Sequence, residues 1–72
     1  MSPDKLIYMA NQIAAALRLR PHDEAVSGVA EHISNFWEPR MRTQLFALLD
    51  EQPAKFDALV REARDRIRPV RA

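Results

Sequence analysis

Cysteine is absent from the sequence, which excludes disulfides and every thiolate site for a metal or an iron–sulfur cluster. Glycine occurs once, at Gly28, so no glycine-rich phosphate loop can be built. Strand signals are missing as well. No stretch alternates apolar and polar residues, and there are no β-branched runs. Neither sign of charge dominates: the formal net charge is +1, whereas nucleic-acid binders usually carry a clear basic excess. No apolar run approaches the ~20 residues that span a bilayer. The start, Met1-Ser2-Pro3-Asp4-Lys5, lacks the basic stretch followed by an apolar run that marks a secretory leader. The lack of cysteine fits a reducing compartment, and a cytoplasmic location without membrane contact is the expectation.

What remains is 72 residues, 47% of them apolar, with alanine supplying much of that fraction. The length suits one domain, 1–72. A domain of this size buries only about 60% of the surface its unfolded chain exposes, so its stability is marginal. With no disulfide available, the remaining aid is a partner chain, either a second copy or a different protein.

A 3.6-residue apolar period fits nearly the whole chain, punctuated by five prolines. The expected fold class is all-α: a small bundle of three to four helices at about 3–18, 23–37, 39–50 and 53–67, with a break at Glu38-Pro39. Ser2 suits an N-cap and Pro3 the first helical position. Leu6, Met9, Ala10, Ile13 and Leu17 fall on one face of the first helix. In the second, Val26, Val29, Ala30, Ile33, Phe36 and Trp37 form a stripe, and Gly28 fits a close helix–helix approach. Met41, Leu45, Leu48 and Leu49 face inward on the third, with Phe46 pointing elsewhere. Phe56, Leu59, Val60, Ala63 and Ile67 make the stripe of the fourth. Asp57 with Arg61, and Glu62 with Arg66, stand four apart in the favourable order for ion pairs. Residues 69–72 read as a loose tail.

The side chains offer little chemistry. Besides Tyr8 the hydroxyls are Ser2, Ser27, Ser34 and Thr43, and His32 lies two residues before Ser34, roughly across the helix from it. The grouping a nucleophile needs is missing. His22 and His32 have no i,i+4 histidine partner to share a metal. The C-terminal arginines 61, 64, 66, 68 and 71 read as a solvated face laced with ion pairs. No aromatic residues interleave with them to stack on bases, so nucleic-acid binding is the weakest alternative.

One segment, Phe36-Trp37-Glu38-Pro39-Arg40-Met41-Arg42, breaks a local rule. Arg40 and Arg42 sit in the first turn of the third helix, where the positive end of the helix dipole disfavours cations. Such violations are often functional, and Trp and Arg dominate interface hot spots. Phe36 reads as core, and Trp37 suits either core or interface. Trp37, Arg40, Met41 and Arg42 are the candidate partner-binding residues. His32 joins them as a polar contact, its competing role being a half-buried hydrogen bond between helices.

The runs Lys5-Leu6, Met9-Ala10-Asn11-Gln12-Ile13, Val29-Ala30-Glu31-His32-Ile33 and Phe36-Trp37-Glu38-Pro39-Arg40-Met41-Arg42 together resemble the delta subunit of NAD-dependent formate dehydrogenases. The resemblance extends to about Leu49, and Glu38 departs from the aspartate more usual there. As the poorer cap, glutamate should start the third helix less sharply. The resemblance implies a non-catalytic accessory subunit of a cytoplasmic enzyme that oxidises formate to carbon dioxide. Its role would be assembly, cofactor insertion or stability of the complex. The partners implied are the other subunits, including the catalytic one. The complex would carry a molybdenum or tungsten bis-pterin guanine dinucleotide, iron–sulfur clusters, FMN and NAD, none of them bound by this chain. A stand-alone homo-oligomeric maturation chaperone is the alternative.

Overall fold

Local capping starts the first helix. In the computed structural model, which describes residues 1–71, the Ser2 hydroxyl accepts from the Lys5 amide at 3.2 Å. Pro3 then takes the first helical position of α1, Pro3–Leu17. The second helix, α2, spans His22–Phe36 behind Pro21, with Asp23 and Glu24 in its first turn facing the positive end of the dipole. Pro39 opens α3, Pro39–Glu51, and the Glu38 side chain makes no capping bond. No strand occurs among the described residues, so the all-α class stands, with the break at Glu38-Pro39.

The fourth segment departs from expectation. Instead of one helix over 53–67, the chain forms a 3₁₀ turn at Pro53–Lys55, a short helix α4 at Ala58–Ala63, and a second 3₁₀ turn at Arg64–Arg66. Phe56 leaves the helical region, at φ −102° and ψ 146°, and its ring enters the core at 3% exposure. A helix broken here frees backbone groups that must find partners. Asn11 of α1 supplies two of them: its Nδ2 donates to the Lys55 carbonyl at 3.0 Å, and its Oδ1 accepts from the Asp57 amide at 2.8 Å. The Asp57 carboxylate caps α4 by accepting from the Leu59 amide at 2.9 Å. Arg61 reaches back to the carbonyl of Phe56.

Neither expected i,i+4 ion pair forms among the described residues. Asp57 faces Arg18 at 3.6 Å, and Glu62 faces His22 at 3.0 Å. Arg66 donates to the Ser27 hydroxyl at 2.9 Å. Arg64 pairs with Asp50 and lies 5.5 Å over the Phe46 ring. Surface pairs of this kind are each worth under about 1 kcal/mol. They orient the last segment more than they stabilise it.

The core is a single cluster. The α4 segment packs chiefly on α2, which also packs on α1, while α1 reaches α3 and α4 as well. Because α1 has neighbours on several sides, its buried stripe is wider than expected. Leu6, Ile7, Ala10 and Ala14 are buried, and Met9, Ile13 and Leu17 only partly. Alanines 10, 14, 25, 30 and 63 are all buried, and their small side chains let the helix axes come close. Leu45, Leu48 and Leu49 of α3 are buried, with Met41 and Phe46 packed at the margin. The Cα radius of gyration is 11.1 Å, against about 11 Å for a compact chain of this length, so the last segment is folded in. Of the tail, the carbonyls of Arg68 and Pro69 are held by Arg42, and Ala72 lies outside the described residues.

Gly28 serves the close approach. A Cβ built there would stand 2.8 Å from Cδ1 of Leu17. Two effects oppose each other on Gly28→Ala: alanine gains up to about 1 kcal/mol of helix propensity, and the Leu17 methyl must rotate away. Leu17 is only partly buried and can do so. We expect a net change within about 1 kcal/mol for Gly28→Ala, and a loss of about 1–3 kcal/mol for the overpacked Gly28→Val. Urea midpoints read by circular dichroism would check both; a Val variant as stable as wild type would refute the contact.

Candidate functional site

The end of α2 separates the two members of the Phe36-Trp37 pair. The buried face of α2 is set by Val26, Val29, Ala30 and Ile33. At 3.6 residues per turn, Trp37 falls about 20° from Val26 around the axis, and Phe36 about 20° from Val29 at the edge of the same face. Trp37 caps the helix in extended geometry, at φ −87° and ψ 133°, while its amide still donates to the Ile33 carbonyl at 3.0 Å. The indole is 6% exposed and belongs to the core, whereas Phe36 is 74% exposed. The expected core role of Phe36 is therefore corrected, and Trp37 is not available as a surface anchor.

Arg42 is corrected in the same way. It lies one turn before Leu45 and two before Leu49, on their buried side, and is 7% exposed. Its Nη1 donates to the carbonyl of Arg68 and to that of Pro69 at 3.4 Å. The cation that seemed misplaced at a helix start is thus used to hold a distant backbone segment. Arg40 is exposed and Met41 half-buried. The structure does not bring Trp37, Arg40, Met41 and Arg42 together as one outer surface.

His32 lies exposed on the outside of α2, not half-buried between helices. Its ring stacks on Phe36, with centroids 4.9 Å apart and planes inclined by 36°. Beside this pair runs an apolar groove between α1 and α2, about 390 Å³ in volume. It is lined by Gln12, Ile13, Ala16, Leu17, Gly28 and His32. A second hollow shares Gly28 and His32 and continues to Glu31, Asn35 and Phe36. Gly28 makes the groove possible, since any larger residue would raise its floor. Stacked rings over an apolar groove are the kind of surface that meets a partner. The glycine inside a helix was the sequence signal for it.

The C-terminal arginines are largely engaged. Arg66 bonds Ser27, and Arg68 donates its amide to the Ser34 hydroxyl at 2.8 Å and its guanidinium to the Ser34 carbonyl at 3.5 Å. Arg61 and Arg64 are bound as described above. They form no free row for phosphates. Among the described residues no three His, Asp or Glu side chains are grouped to hold a metal, and no helix is long and apolar enough to cross a membrane. In comparisons with known proteins, a sequence model of the family described as NADH-dependent formate dehydrogenase delta subunit, FdsD, matches residues 5–64. No curated protein and no solved structure matches the chain significantly.

Proposed function

The chain belongs to the NADH-dependent formate dehydrogenase delta subunit family, and from that premise we propose that it is a non-catalytic accessory subunit that docks through the face carrying Phe36. It associates with other subunits of the enzyme, including the catalytic one, and supports assembly, cofactor insertion or stability in the cytoplasm. On this reading the pterin-bound molybdenum or tungsten, the iron–sulfur clusters, FMN and NAD all sit on other subunits. The donor set agrees, since a chain without cysteine has no thiolate for a cluster.

The observation that carries the reading is Phe36. A chain that buries Leu6, Ile33, Leu45 and Trp37 leaves this ring 74% exposed, braced by His32 at the lip of an apolar groove. Full burial of a phenylalanine is worth about 1.5–3 kcal/mol, a gain this fold leaves to a partner. Phe36→Ser should therefore reduce recovery of the enzyme subunits in a pull-down with the tagged chain, by about 30-fold for a hot-spot residue, while helix content stays unchanged. Equal recovery would remove the face from consideration. Cells lacking the chain should show less formate-dependent NAD reduction; unaltered activity and cofactor content would overturn the accessory role itself. If Phe36 instead mediates self-association, as the maturation-chaperone reading holds, sedimentation of the isolated protein will show a dimer that Phe36→Ser dissociates.

A further inference from the structure

The outer side of α1 is poor in charge for a helix that faces water. Between Lys5 and Arg18 the chain has no charged residue, although Tyr8, Gln12, Ala15 and Ala16 are all exposed. A surface helix ordinarily sets charged and polar residues opposite its buried stripe. Here that side holds a tyrosine at 63% exposure, one glutamine and two alanines. Gln12 and Ala16 belong to one wall of the apolar groove beside Phe36.

The opposite wall is acidic. Glu31 borders the hollow that continues the groove to Phe36. Glu24 stands on the same line of α2, with Gly28 between the two, and the two acids are about 10 Å apart along the axis. Both are exposed, and neither joins an ion pair among the described residues. Arg66 and Arg68 share another hollow with Glu31, but their guanidiniums bond Ser27, Ser34 and Asn35 instead. The helix itself, His22–Phe36, has no lysine or arginine.

These walls narrow the occupant. No strand occurs among the described residues, so strand addition has no template, whereas an apolar seam between two helices suits a helix laid in a groove. The acids oppose nucleic acid and any acidic segment. They also oppose a second copy, because a two-fold pair sets the same patch against itself, and the lining of this patch has no lysine or arginine.

We propose that the groove seats an amphipathic helix of the partner subunit, its apolar side chains against Ile13, Leu17 and the Phe36 ring, and basic residues about two turns apart facing Glu24 and Glu31. This rests on the reading that the Phe36 face docks the enzyme, and adds what the partner brings to it. The uncharged side of α1 meets the other flank of that helix, where a charge would be covered without a mate.

The test uses the tagged full chain and the enzyme subunits. Glu24→Gln combined with Glu31→Gln should lower recovery about fivefold at low salt, and high salt should shrink the difference. Both side chains are exposed, so helix content should not change. If Phe36→Ser lowers recovery while the double variant binds as wild type does, the basic helix is overturned and the docking face stands. If both variants bind as wild type does, face and helix fall together. The absence of cysteine allows a second measurement: Gln12→Cys, given a photo-activated diazirine before mixing, marks what lies in the groove. Mass spectrometry should find the cross-link on a partner segment with apolar residues at helical spacing and lysine or arginine about two turns apart. A cross-linked segment that is acidic or lacks that period would overturn the proposal, as would a cross-link to another copy of the chain or none at all.

Discussion

Trp37→Ala is expected to leave the isolated chain largely unfolded, whereas Phe36→Ala, its immediate neighbour, should change stability by no more than about 0.5 kcal/mol. Truncating a buried aromatic residue costs about 3–5 kcal/mol, because the transfer term and the cavity term add. A chain of this length has in total only about 4–11 kcal/mol, at 0.05–0.15 kcal/mol per residue. Trp37 is the sole tryptophan and sits in the cluster with Ile33, Leu45 and Val60. Its loss opens the place where α2 ends and the chain turns toward α3. Far-UV circular dichroism in urea would compare the two variants, since fluorescence disappears with the tryptophan. Equal midpoints for both would mean that the indole is not in the core.

Asn11→Ala should cost about 1–2 kcal/mol, a large loss for a side chain that is neither apolar nor fully buried. Two backbone groups lose their partner at once, the Lys55 carbonyl and the Asp57 amide; the first is exposed and can turn to water, while the second is part-buried and carries most of the cost, about 1 kcal/mol or more for a donor left unpaired. Asn11→Asp is expected to be at least as harmful. It can still accept from the Asp57 amide, but it cannot donate to the Lys55 carbonyl, and it places a second carboxylate beside Asp57. Amide hydrogen exchange gives the sharper readout. Protection should fall first over α4 and the adjoining turns, with α1 and α2 following only on global unfolding. If Asn11→Ala leaves exchange in α4 untouched, the break is held by the Asp57 cap and Arg61 alone.

Where the elements begin could be read from short-range chemistry. Ser2-Pro3 and Glu38-Pro39 mark helix starts because capping and the fixed φ of proline act within one turn, and all-α architecture follows from a period that never changes. The fourth segment could not be read this way. Its apolar spacing is helical, yet the asparagine that stabilises the break stands 44 to 46 residues away in sequence. Only the tertiary fold brings it there.

The docking segment failed for a different reason, since the information was local. Trp37 continues the i, i+4 line from Ile33, and Arg42 shares the i, i+3, i+7 line of Leu45 and Leu49. For Arg42 the residue type points outward while helix phase points inward, and phase prevails; for Trp37 phase favours the core over the interface. Phe36 is the reverse case: it continues the line of Val29 and Ile33, yet at the last residue of α2 it is 74% exposed, so phase does not foretell its exposure. The family was legible from the motif runs. Physical reasoning alone reaches a candidate interface in this segment, of which Trp37 and Arg42 prove to be buried.

Asn11 has a consequence for the order of events during synthesis. A chain is made from its N-terminus, and the elements that emerge first can act first. The groove beside Phe36 is complete within the first two helices, α1 and α2. Val60, Ala63 and Ile67, which close the core over α2, come last, and the turn that admits Phe56 waits on a residue made long before. The nascent chain therefore carries every residue of the proposed docking groove before the segment that packs most closely on α2 has been made. Completion of the C-terminal segment, not of the groove residues themselves, is then what fixes the groove's shape.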